Sequence, residues 1–231
     1  MRVAVVTVGD ELLAGDITNT NAAWLGRELT ECGVDVERML TIPDDVDVIA
    51  STVADLSGAF DAVLVTGGLG PTHDDCTMEG VADAFGVSLT DNSEAVTWLR
   101  EHKDYQYEKL TEGTAHLPEG ARHLPNEVGV APGAVVENVY VFPGVPEEMH
   151  AMFERVADEF SGTEQHVEFV YTSEPESALI DRFEEVRDRF EVTVGSYPGD
   201  GVRIKLRGPD QSVVTAAADW LRENVAEADY R

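Results

Sequence analysis

The residues best suited to chemistry form one run. Thr66-Gly67-Gly68-Leu69-Gly70-Pro71-Thr72 carries three glycines, and His73-Asp74-Asp75 follows at once. Glycine lets backbone N–H groups approach a ligand closely and form an anion-binding nest. A helix starting just beyond would aim its N-terminal amides at the same anion. A tight structural turn uses glycine equally well, so the loop alone does not decide. The carboxylates add information. Beside a phosphate they repel it unless a cation lies between, and magnesium held by one or two carboxylates plus phosphate oxygens is the usual arrangement. Capping of the next helix is the other use for such an aspartate. His73 reads as a hydrogen-bonding loop residue rather than a metal ligand.

Two further segments follow the same logic. Gly9-Asp10-Glu11 stands at the end of the apolar run Val3-Ala4-Val5-Val6, with Asp16 and Asn19-Thr20-Asn21 extending the loop. These acids are either ligands or solvated loop residues. One of Asn19, Thr20 and Asn21 must cap the helix that follows. Pro143-Gly144-Val145-Pro146 suits a rigid ligand wall, or simply a strand-to-helix turn.

The elements that position these loops are legible from periodicity. Residues 2–8 and 62–65 are short, fully apolar runs, as buried strands are. Residues 34–42 form a third strand and 134–142 a fourth. Helices are predicted over 19–32, after a cap at Asp44 or Asp45, over 77–85, over 93–110 and over 147–160. Gly33 and Gly86 stop two of them. Strands alternating with helices imply a parallel sheet covered on both faces, whose ligands sit beyond the carboxyl ends of the strands. All three loops therefore belong on one edge of that sheet. Ser161-Gly162-Thr163 is the expected boundary. Beyond it the pattern is strand 166–172, helix 175–189, strand 192–197, strand 202–207 and helix 210–225, a small α+β unit.

Charge narrows the function classes. The chain has 45 acidic and 16 basic residues, net −29, and its only lysines are Lys103, Lys109 and Lys205. The acids are dispersed over folded segments rather than gathered in a tail, as in a halophilic protein whose self-repulsion salt screens. Such a surface argues against nucleic acid as a partner. Arg203, Lys205 and Arg207 alternate on one strand and so share a face; the expectation is that they pair with acids of the 174–191 segment. Cys32 and Cys76 are too few for a disulfide framework, and no basic neighbour marks Cys76 as a nucleophile. No apolar run is long enough to cross a bilayer, and the first residues lack the form of a signal peptide.

Taken together, Gly9-Asp10-Glu11-Leu12-Leu13 with Asp16, Thr20-Asn21-Ala22, Thr66 to Thr72 with Asp74, Asp75 and Thr77, Ala131-Pro132-Gly133, and Pro143-Gly144-Val145-Pro146-Glu147-Glu148-Met149 resemble the N-terminal part of the CinA family. That part belongs to the wider MoaB/Mog molybdopterin-binding fold. The resemblance covers about residues 1–160, and the last 65 or so resemble the small KH-like domain that follows in CinA proteins. It implies an α/β chain with a three-layer parallel-sheet MoaB/Mog-like domain over 1–162 and an α+β KH-like domain over 163–231. It also implies a cytoplasmic homo-oligomer, dimer or trimer, that binds a nucleotide or molybdopterin. For the CinA branch it implies cleavage of ADP-ribose or FAD-type pyrophosphates with a divalent metal, magnesium or cobalt. The amidase domain of long CinA proteins would fall beyond Arg231, so no deamidation is expected. One departure stands out: an Asn-x-Lys-Gln-Ala stretch common in the family corresponds here to Thr111, Gly113, Thr114 and Ala115, with Lys109 the nearest lysine.

The candidates are thus Asp10 and Asp75 as catalytic residues, and Asp10, Asp74 and Asp75 as metal ligands. Gly9, Glu11, Asn21, Thr66, Gly67, Gly68, Leu69, Gly70, Pro71, Thr72, Pro143, Gly144 and Pro146 form the ligand-binding wall. The alternative is a binding protein of molybdenum cofactor metabolism without catalysis.

Overall fold

Alternation along two buried strands organises the larger unit of the computed structural model, which describes residues 1–72, 74–102, 113–163 and 165–226. In β1 (Arg2–Val8) and β3 (Ala62–Thr66), successive side chains point to opposite faces. Ala4, Val6, Val8, Val63 and Val65 enter one core with Ile49 and Val53 of α3 (Val46–Ala59), Val81 of α4 (Thr77–Phe85) and Leu99 of α5 (Ser93–His102). Val3, Val5, Ala62 and Leu64 enter a second core with Leu25 and Leu29 of α2 (Thr20–Glu31) and Met149 and Phe153 of α6 (Pro146–Glu154). Helices on both faces make three layers.

The six-stranded sheet runs β2-β1-β3-β8-β7-β6, where β2 is Asp35–Ile42, β6 Arg122–Leu124, β7 Gly133–Val136 and β8 Val139–Phe142. The pairs β1–β2, β1–β3 and β3–β8 are parallel, whereas β6–β7 and β7–β8 are antiparallel. The expected single strand over 134–142 is therefore a hairpin. Its turn is Glu137-Asn138, with Glu137 at a φ of 51°. Asn138 holds it from outside the strand, donating to the carbonyls of Ser57 (3.0 Å) and Phe60 (2.9 Å). A separate short pair, β4 (Leu89–Asp91) with β5 (His116–Pro118), went unread in the sequence.

Helix ends differ in detail. Asn19 caps α2, accepting from the Ala22 N–H at 3.0 Å, and Asp45 caps α3 through the Val48 N–H. Residues Asp10–Ala14 form a short helix, α1, in place of the expected loop. The 147–160 helix breaks after Glu154 and resumes as a 3-10 turn at Ala157–Glu159. The 93–110 helix is described through His102; its remainder, with Lys109, lies outside the described residues, as do His73 and Thr111.

The chain divides into compact units Met1–Gly162 and Thr163–Arg231. The smaller has an antiparallel sheet ordered β10-β11-β9, from β9 (His166–Thr172), β10 (Thr193–Pro198) and β11 (Val202–Gly208). Helices α7 (Ile180–Arg189) and α8 (Gln211–Asn224) bury Phe183, Val186, Val214 and Leu221 against Ile204 and Leu206. For Arg203 and Lys205 this differs from the expected pairing with acids of the 174–191 segment, with which neither forms an ion pair among the described residues. The apolar alternates of β11 face the helices, so the cations face away, and Glu174 and Glu185 pair instead with Arg182 and Arg189. Arg203 lies over the rings of Phe169 (5.4 Å) and Tyr197 (5.0 Å). Among the described residues no helix is long and apolar enough to cross a membrane.

Candidate functional site

Three loops at the carboxyl ends of β1, β3 and β8 are tied together by a few hydrogen bonds. The Thr66 hydroxyl, at the end of β3, donates to the Pro143 carbonyl at 2.7 Å. The Asn21 amide donates to the Gly144 carbonyl (2.8 Å) and to Thr66 Oγ1 (3.3 Å). Gly67 donates its N–H to the Phe142 carbonyl at 3.2 Å. A Cβ on Gly67 would overlap the Val8 carbonyl oxygen, and one on Gly144 would stand 3.3 Å from the Gly67 Cα. Close approach of three chain segments, as well as φ angles of 108° and 63°, requires glycine at 67 and 68.

Beyond these loops opens a cavity of about 780 Å³. The glycine loop from Thr66 to Pro71 forms one wall. Gly9, Glu11 and Asn21 form a second, Pro143, Gly144 and Pro146 a third, and Asp74 and Asp75 stand beside the glycine loop. Two sequence-derived candidates fall outside. Thr72 lines a neighbouring cavity of about 540 Å³, across Gly68–Pro71 from the first, together with Met78 and His116. Asp10 lines neither; it opens α1, and its backbone N–H donates to Asp44 Oδ2 at 2.9 Å.

Asp44, expected only as a helix cap, brings a carboxylate into the cavity that Asp10 was expected to supply. Its pKa is raised by burial and then by the like charges of Asp10, Glu11 and Asp74, against the lowering effect of the Asp10 N–H. Asp75 does not cap α4, whose N-cap is Cys76. Its Oδ2 accepts instead from the Thr72 N–H (3.0 Å) and the Thr72 hydroxyl, and a Cβ on Gly70 would press against it. Glu148 also lines the cavity. Its Oε2 accepts at 2.6 Å from Asn126, a fully buried amide that holds Gly129 N–H and the Ala131 carbonyl as well. The 126–131 loop is thereby fixed as a further wall. Burial of Asn126, invisible in sequence, is the signal that would have found it.

The site is rich in carboxylates and poor in cations. Among the described residues lining either cavity there is no lysine or arginine. Nor do any three His, Cys, Asp or Glu side chains among the described residues converge as a metal-ligand group. Asn21 Oδ1, in a cavity-lining residue only 9% exposed, is a buried acceptor without a partner among the described residues. Thr77 Oγ1, under Gly68, is also buried and unpartnered, while its N–H donates to the Gly68 carbonyl.

Comparison with known proteins places this geometry. Residues 4–161 match the family described as probable molybdopterin binding domain, and residues 164–230 match the middle domain of FAD synthase. A protein of Archaeoglobus fulgidus is 43% identical over 225 residues, covering 96% of this chain and 97% of that one. A CinA-like protein of Frankia casuarinae is 45% identical over 165 residues, 66% of this chain but 38% of the longer relative. The crystal structure of CinA from Thermoplasma acidophilum superposes with a TM-score of 0.64 at 36% identity, covering 70% of this chain and 99% of that one. The chain belongs to the probable molybdopterin-binding-domain family, in its CinA-like branch.

Proposed function

We propose that the larger cavity binds a phosphate-bearing dinucleotide of the ADP-ribose or FAD class and hydrolyses its pyrophosphate with a divalent metal. The observation that carries this reading is the glycine loop, with φ angles open at Gly67 and Gly68, forming a wall of a cavity that has three aspartates and no cationic side chain among its described residues. Backbone amides of such a loop suit phosphate oxygens. Carboxylates beside them suit phosphate only with a cation between.

Asp44, Asp74 and Asp75 are the cavity-lining carboxylates that would hold such an ion, one more than the one or two by which magnesium is usually bound. Bound there, it would act as a Lewis acid on a phosphoryl oxygen. The residues of the chain do the rest. The loop holds one phosphate, the Asn21 and Glu148 walls hold the organic part, and a carboxylate takes the proton from water as it adds to phosphorus and the bridging P–O bond breaks. The Asp10 side chain has no part in this version, because Asp44 stands in the cavity instead.

A second reading has its own support. The matched family is described as molybdopterin-binding, and no three-ligand metal group is found among the described residues. On that reading the cavity holds a pterin phosphate and performs no hydrolysis. The test is a thermal-shift and turnover screen with ADP-ribose, FAD and a pterin phosphate, each with magnesium, cobalt or EDTA, for wild type and Asp75→Asn. The hydrolase reading expects metal-dependent turnover that Asp75→Asn lowers roughly 10²-fold with near-normal melting, the scale of losing one preorganised electrostatic group. Stabilisation by the pterin phosphate alone, insensitive to EDTA and without turnover, would select the second reading.

A further inference from the structure

The open face of the smaller unit's sheet departs from the rest of this chain. By the strand register, Val167, Phe169 and Tyr171 of β9 lie beside Arg207, Lys205 and Arg203 of β11 on the side away from the helices. Thr193, Gly195 and Tyr197 of β10 complete that face. It presents three aromatic rings and three cations. Not one of its positions is acidic, although roughly one residue in five of the chain is Asp or Glu. The rings are not filling a core: Phe169 is 38% exposed, Tyr171 36% and Tyr197 46%. Arg203 lies over two of them.

An acidic coat tuned to salt keeps solvent-facing surface soluble, so an acid-free aromatic face within it is surface that a partner covers. Size argues against a protein partner on this face alone. A stable protein–protein contact takes about 20–30 residues a side, and this face has far fewer. Chemistry argues for a polyanion carrying planar groups. Rings and an ordered guanidinium are stacking platforms for unpaired bases. Alternate side chains on a strand stand about 6.8 Å apart. That is roughly twice the 3.4 Å per-strand rise of a stacked duplex, which suits phosphates of a strand whose bases have been splayed.

We infer that this sheet face binds a single-stranded polynucleotide a few nucleotides long, by stacking on Phe169, Tyr197 and the Arg203 guanidinium, with Lys205 on its phosphates. Net charge argues the other way at low ionic strength. At molar salt the Debye length is about 3 Å, and the acids elsewhere no longer reach the strand. Stacking, rather than counter-ion release, then carries the affinity. The inference does not depend on the cavity of the larger unit.

Fluorescence anisotropy of the full chain with labelled ten-nucleotide single strands of RNA and of DNA, and with a duplex of equal length, tests this between 0.2 and 1 M KCl. Binding of a single strand is expected, with weaker binding of the duplex. The slope of log K against log salt should be no steeper than about −0.7, the value for one phosphate contact on a single strand. Arg203→Ala and Tyr197→Ala should each weaken binding about tenfold, whereas Arg189→Ala, a cation packed on Trp220 on the helical side, should not. Circular dichroism melts confirm that each variant is folded. A folded wild type that binds neither strand, or binding untouched by both substitutions, overturns the inference. So does a dimer that Arg203→Ala dissociates in the absence of any oligonucleotide binding, which would give the face to a second copy of the chain.

Discussion

Substitution of Gly68 separates the structural from the ligand-binding role of the glycine loop. The backbone at Gly68 has φ 63°, and an alanine there pays a left-handed strain of about 1–2 kcal/mol. Its Cβ would also overlap Thr77 Oγ1 and stand 3.3 Å from Asp44 Oδ1. Overpacking of this kind costs about 1–3 kcal/mol. The sum centres on about 3.5 kcal/mol, a fall in Tm of roughly 7–14 °C for a unit of this size. Thr77→Ala removes the obstructing oxygen, which is buried without a hydrogen-bond partner. In the double variant the overlap with Oγ1 disappears, leaving the backbone strain and the 3.3 Å contacts with Asp44 Oδ1 and the Cβ of residue 77. A thermal-melt double-mutant cycle at fixed KCl should therefore show a coupling of about 1–3 kcal/mol. Ligand binding should behave differently. The new methyl still stands over the loop amides, so whichever nucleotide or pterin phosphate stabilises the wild type should fail to stabilise the double variant. At 100-fold excess over Kd that stabilisation amounts to about 2.7 kcal/mol, easily read. Additive single effects would refute the packing argument. Full ligand stabilisation of the double variant would refute the phosphate nest.

Three other outcomes are expected. Melting temperature should rise between 0.1 and 2 M KCl as screening shortens from about 10 Å to under 3 Å; an unchanged value would end the halophilic reading. Asp44→Asn keeps an acceptor for the Asp10 N–H but removes a charge disfavoured by burial and by Asp10, Glu11 and Asp74, so in EDTA at pH 7 it should melt higher than wild type while losing the magnesium dependence of ligand binding. Tyr140, half-buried with its hydroxyl donating to Glu159 Oε2 at 2.9 Å, has its pKa pushed up to about 12, chiefly by burial and then by that carboxylate. The folded state thus holds this proton more tightly, so its contribution to stability is present below pH 10 and is lost as pH rises from 10 towards 12; ultraviolet titration should place the phenolate transition near there, and an unshifted transition at pH 10 would contradict the geometry.

Much of the fold and the address of the site were legible in the residues themselves, because the signals are local. Apolar runs such as Val3–Val6 and Ala62–Val65 read as buried strands, and the two caps were narrowed to Asn19, Thr20 or Asn21 and to Asp44 or Asp45, of which Asn19 and Asp45 do the capping. Chain order then put the three loops on one edge of a sheet. The hairpin in 134–142 was missed because its apolar strands mask a turn that Asn138 makes with residues 78 and 81 positions away.

What tertiary structure alone decided is which side chains face one another. Asn21 reaches Gly144 across 123 residues, and Thr66 reaches Pro143 across 77. No local period records such pairings. Asp10 and Asp44 are both aspartates near strand ends, yet a short helix takes one out of the cavity wall while the other stands in it. The alternation of Arg203, Lys205 and Arg207 gave them a common face from sequence alone. That this face points away from the helices and their acids depends on where Ile204 and Leu206 are buried, because the two sides of a strand are distinguished only by what packs against them.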